Sequence, residues 1–109
     1  MPRRAEAFLK DIERSIQRIR NYTEGYGFER FEKDDKTVDA VTKNLANIGE
    51  AVKNLPEEVT ENSDYDWSQI ARFRDFITHQ YFKADEEIIW DIIENELDLL
   101  EEQVNRNQS

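Results

Sequence analysis

The sequence predicts an all-α protein, an antiparallel bundle of four to five helices, on three observations. Only three glycines and two prolines interrupt its 109 residues, so few positions break a helix. Apolar residues recur every three or four positions along most of the chain, the period of one helix face. The intervals between these runs are short, which folds consecutive helices back alongside each other. The length suits one domain, residues 1–109, with a single modest core.

The first helix is expected from about Arg3 to Tyr22. Phe8, Ile12, Ile16 and Ile19 share a stripe with Leu9 beside it, and Pro2 suits a first turn, where its missing N–H costs little. Thr23-Glu24-Gly25-Tyr26-Gly27 ends that helix, its glycines free to take positive φ. Phe28 to Asp34 reads as a short helical turn leading into a long helix from about Lys36 to Leu55. There Val38, Val41, Leu45, Ile48, Val52 and Leu55 make one apolar face, and Pro56 closes it. Residues 56–66 read as a polar, acidic connection. Asp66 and Gln69 are spaced as a capping box opening a central helix that runs to about Phe82. Asp85, Glu86 and Glu87 then suit the first turn of a last helix ending near Asn105. That helix is expected to turn Ile88, Ile89, Ile92, Ile93, Leu97, Leu100 and Val104 inward.

Composition excludes several function classes. Without cysteine there are no disulfides and no thiolate metal site. No apolar run approaches a membrane span, and the N-terminus lacks the apolar core of a signal peptide, so a soluble cytoplasmic protein is expected. The net charge of −10 argues against general nucleic-acid binding. Charge is unevenly placed, however. Residues 1–20 hold six cations against three acids, whereas residues 85–109 hold nine acids against Arg106 alone. Exposed charges are screened beyond roughly 8–10 Å, so a local basic cleft remains compatible with an acidic total.

The stretch Arg72 to Phe82 carries the only histidine, two arginines and four aromatics. At about 100° per residue, Arg72, Asp75 and His79 lie on one stripe and Arg74, Thr78 and Tyr81 on the next. A carboxylate four residues before an imidazole can fix its tautomer and favour its protonated form. Guanidinium groups can fork onto phosphate oxygens. These are the parts for metal-free phosphoester cleavage: an acid/base, a group that orients it, and a clamp for charge developing on phosphorus. RNA suits that chemistry because its 2′-hydroxyl is an internal nucleophile. One histidine cannot both remove and return a proton, so a two-fold homodimer with a composite site is expected. Asp75 and His79 could alternatively form half of a metal site, but a single histidine and no Glu-x-x-His repeat argue against it; no metal or cofactor is expected.

Arg74-Asp75-Phe76-Ile77-Thr78-His79-Gln80-Tyr81-Phe82 resembles the R-x4-H-x-Y signature of HepT-like toxins of the HEPN superfamily. The block from Asp39-Ala40-Val41 through Ile48-Gly49-Glu50-Ala51 to Asn54-Leu55-Pro56 is similar to that family's second helical block, and Trp67 followed by Ile70-Ala71 to its lead into the motif. The resemblance covers roughly residues 5–104. It implies a HEPN-like homodimer acting as a metal-independent endoribonuclease toxin. Its antitoxin would be a minimal nucleotidyltransferase that adds AMP to the motif tyrosine. On that resemblance Arg74 and His79 are catalytic, Asp75 and Arg72 support them, and Tyr81 is the modification target. A reading from a different class stands beside it: a non-catalytic helical module that binds a nucleotide or the nucleotidyltransferase, which the acidic balance favours.

Overall fold

The computed structural model describes residues 3–61, 63–72 and 86–108. Every regular element among them is helical: α1 (Arg3–Thr23), α2 (Phe28–Lys33), α3 (Asp35–Lys53), α4 (Glu57–Glu61), α5 (residues 67–72), α6 (Glu86–Asn95) and α7 (Leu97–Gln108). No described helix is long and apolar enough to cross a membrane.

The longest apolar stripes pack against each other. Leu9, Ile12, Ile16 and Ile19 of α1 are fully buried against an α3 face of Val38, Val41, Leu45 and Ile48. Full burial of such a side chain contributes about 1.5–3 kcal/mol, so this pair of helices is the main apolar contact of the fold. α7 covers α1 from another side with Leu97, Leu100 and Val104. Polar bonds fix the register: Gln17 donates to Glu101 at 2.8 Å, and Arg20 reaches Asp98 at 2.8 Å and Glu101 at 3.2 Å. Ascending positions on α1 meet descending ones on α7, so these two helices run antiparallel. α2 leans on α6 through Phe31 and Trp90, whose ring centroids lie 5.1 Å apart.

The turn between α1 and α3 is held by local chemistry. Gly25 takes φ +78°, a conformation that L side chains rarely adopt. Asp34 then caps α3: its carboxylate accepts from the Thr37 N–H at 3.2 Å, the Thr37 hydroxyl at 2.8 Å and the Tyr26 hydroxyl at 2.6 Å. The Arg30 guanidinium stacks 4.0 Å above the Tyr26 ring. These hydrogen bonds, Tyr26 first, hold the Asp34 carboxyl below the usual carboxylate range.

Two features differ from expectation and raise the number of helical segments above the four to five predicted. The acidic connection contains α4. Pro56, which ends α3, also opens this turn by accepting from the N–H groups of Val59 and Thr60. Val59 is the one side chain that buries it. The last helix is also two helices, α6 and α7, broken at Glu96. Ile92 and Leu97 are both buried, yet five residues of continuous helix would rotate the second about 140° from the first. The break lets both face the core. Ile88, expected inward, is 45% exposed.

Candidate functional site

Arg74, Asp75, His79 and Tyr81 lie outside the described residues; Arg72 lies within them. Residues 63–72 build the approach to Arg72 from a few short-range bonds. The Tyr65 ring meets Trp67 edge-on at 5.4 Å, and its hydroxyl donates to Glu96 at the α6–α7 break, 3.2 Å away. Burial, followed by the Glu96 carboxylate, pushes the Tyr65 phenol well above its ordinary value. Trp67 and Ile70 bury the inner face of α5.

Asp66 precedes α5 as expected of a cap; the Gln69 N–H donates to its carbonyl at 3.2 Å, while Ser68 holds its carboxylate. The Ser68 hydroxyl donates to the Asp66 carboxylate and accepts from Arg72 Nη1 at 2.7 Å. Arg72 Nη2 stands 3.6 Å from Asp66 Oδ2. The hydrogen bond from Ser68, with a smaller contribution from the Arg72 charge, lowers the Asp66 carboxyl below its usual range. Arg72 is therefore folded back onto the start of its own helix. Among the described residues it pairs with Asp66 and Ser68 and not with the acidic last helices. Its side chain is 66% exposed, so solvent screens the ion pair and it is weak.

Arg72 overhangs a cleft of about 340 Å³ between α5 and α6. Ile70, Ile88 and Ile92 line it with apolar surface, and Asp91 of α6 and Glu96 at the α6–α7 break add two carboxylates. Two carboxylates facing one guanidinium make this cleft a poor polyanion site by itself. Among the described residues no three acidic or histidine side chains gather as a metal-ligand group.

A second cleft, of about 300 Å³, lies between α1 and α3. Arg14 and Arg18 line one side, Asn47 and Asn54 the other, and Ser15 and Ala51 the base. The spacing was legible on both helices: Arg14 and Arg18 are four apart, and Asn47, Ala51 and Asn54 step by four and three. Sequence reasoning noted the basic balance of α1 but read it as a solvated face, and missed the α3 counterpart because asparagines on a helix carry no charge signal. The Asp34 cap was missed similarly, although Asp just ahead of an apolar-periodic run is a favoured N-cap.

Comparisons with known proteins agree on one family. A family model described as ribonuclease HepT-like matches residues 12–106. A Methanocaldococcus jannaschii protein that bears an RNase name is 43% identical over 89% of this chain and 82% of its own length. A Caldanaerobacter subterraneus subsp. tengcongensis protein, also named as an RNase, is 42% identical over 91% of this chain and 86% of its own. A Thermococcus cleftensis protein that bears the name ribonuclease HepT is 35% identical over 89% of each chain. No solved structure matches significantly.

Proposed function

The chain belongs to the HepT-like ribonuclease family, and on that premise we propose that it is a metal-independent endoribonuclease toxin of a prokaryotic type VII-like toxin–antitoxin system. It acts in the cytoplasm as a homodimer of HEPN-like antiparallel bundles, in which α2, α4 and the split last helix elaborate four to five main helices. A minimal nucleotidyltransferase antitoxin neutralises it by AMPylation of Tyr81. The observation that carries this reading is the family match over residues 12–106, which encloses an intact R-x4-H-x-Y run from Arg74 to Tyr81.

The chemistry follows from the residue types. The RNA 2′-oxygen attacks the adjacent phosphorus while the P–O5′ bond breaks, leaving a 2′,3′-cyclic phosphate and a 5′-hydroxyl. One imidazole takes the 2′ proton, and the imidazolium of the second copy gives one to the departing oxygen. Arg74 from each copy neutralises charge on the phosphoryl oxygens. Asp75 orients the imidazole or the arginine. Arg72, tethered by Ser68 and Asp66, supports the site from the start of α5. A phosphodiester on Tyr81 would add negative charge beside those arginines and compete with RNA for them.

Expression in a bacterium lacking the partner should arrest growth, and His79→Ala should abolish the arrest. Co-expression with the nucleotidyltransferase should add AMP units to the intact mass of the wild type and none to Tyr81→Phe. Mass gained equally by both would refute the tyrosine assignment. The acidic total favours a second reading, the non-catalytic module that binds a nucleotide or the nucleotidyltransferase. That module cleaves no RNA, and its partner binding survives His79→Ala.

A further inference from the structure

We infer that the α1–α3 cleft is an accessory RNA subsite, separate from the R-x4-H-x-Y motif, that takes one unstacked nucleotide of a single-stranded segment. This rests on the ribonuclease reading for its ligand, and on the two helices for its geometry.

The cations of α1 divide into groups with different fates. Arg20 is neutralised, its guanidinium shared between Asp98 and Glu101 of α7. Arg14 and Arg18 lie only about 40° apart around the helix, and Arg18 about 200° from Arg20, so they turn away from α7 and line the cleft against α3. Arg14 has one loose ion pair, to Asp11 at 3.7 Å with both side chains more than half exposed. Among the described residues nothing engages Arg18. Like charges four apart on a helix repel each other, and an anionic ligand would relieve that repulsion.

The cleft is nevertheless not a plain phosphate trap. Asp11 and Glu50 also line it, which brings its formal charge to zero. A whole nucleotide satisfies that mixture where a bare anion does not. A base edge presents donors and acceptors together, and Asn47 supplies both from one amide. Asn54 spends one N–H on the Glu50 carbonyl at 2.9 Å, which leaves its second N–H as a donor and its oxygen as an acceptor. The base of the cleft is made of small side chains, Ser15 and Ala51, with Phe8 at its margin, so a flat ring can approach closely and meet an aromatic surface. The cleft volume, about 300 Å³, falls at the small end of ligand pockets. Phosphates on either side of that base would then meet Arg14 and Arg18.

The test is fluorescence anisotropy with a labelled single-stranded RNA oligonucleotide, carried out in His79→Ala protein so that the ligand stays intact. Arg14→Ala/Arg18→Ala should raise Kd about five-fold or more. It should also flatten the dependence of log K on log salt by about 0.7 for each phosphate that the missing guanidinium groups had neutralised. Asn47→Trp, which fills the cleft from its exposed rim, should weaken binding with both arginines in place. Circular dichroism and thermal melting of each variant should match the parent. Unchanged affinity and salt slope in the double variant would overturn the proposal, as would a parent protein that binds no RNA. Cleavage by wild-type protein is scored separately. Arginine-dependent binding without cleavage refutes the ribonuclease reading and leaves the subsite standing; cleavage with binding indifferent to Arg14 and Arg18 does the reverse.

Discussion

Asp34 shows how much a single side chain can organise in a small helical protein. One carboxylate caps α3, ties down Tyr26, and through that ring seats Arg30. Losing a cap of this kind costs about 1 kcal/mol, so Asp34→Ala should lower the unfolding free energy by about that amount in urea denaturation. Its carboxyl is held below the usual range in the fold. The stabilisation is therefore present above the unfolded carboxylate pKa, near 3.9, and is lost as pH falls through the lower folded value. Asp66 titrates with the same sign. Tyr65 behaves oppositely. Its phenol is raised in the fold, so its contribution is complete below pH about 10 and declines at higher pH, where the unfolded chain ionises first. Stability measured against pH should fall at both ends, and Tyr65→Phe should remove part of the alkaline loss.

At the scale of elements, the two long amphipathic helices were legible because many residues vote on one face. Ile12, Ile16 and Ile19 in α1 and Val38, Val41, Leu45 and Ile48 in α3 were all placed inward by spacing alone, and all are buried. The misses are elements with few votes. One turn of helix such as α4 offers one apolar residue, Val59, and that is no periodicity. The break at Glu96 has no glycine or proline to announce it; only the five-residue step from Ile92 to Leu97 encodes it. Within the site the contrast is the same. The R-x4-H-x-Y residues were read from spacing and lie outside the described residues, and Arg72 was read as their neighbour. Its tether to Ser68 and Asp66 depends on rotamers that no spacing fixes. Removing a buried aromatic typically costs about 3–5 kcal/mol. Phe31→Ala should do so at the α2–α6 contact, because the ring is fully buried against Trp90; thermal melting would show whether the last helices depend on it. Arg20→Ala, by comparison, should cost only about 1 kcal/mol, its guanidinium being partly exposed.

Over the whole molecule, the sequence separates charge along the chain and the fold redistributes it. The acidic surplus of residues 85–109 is carried largely by α6 and α7, where Asp98 and Glu101 absorb the charge of Arg20. Arg14 and Arg18, turned away from those carboxylates, line the α1–α3 cleft. An acidic total thus coexists with a cleft that two guanidinium groups line. The family match supplies the activity, and the proposed reading takes its residues from the R-x4-H-x-Y run. Cleavage of single-stranded RNA by the purified protein in excess EDTA tests their union most directly. The account predicts cutting that persists in the chelator, yields 2′,3′-cyclic phosphate ends, and falls at least about 100-fold in His79→Ala. Cutting that disappears with EDTA, or continues undiminished without the imidazole, would contradict it.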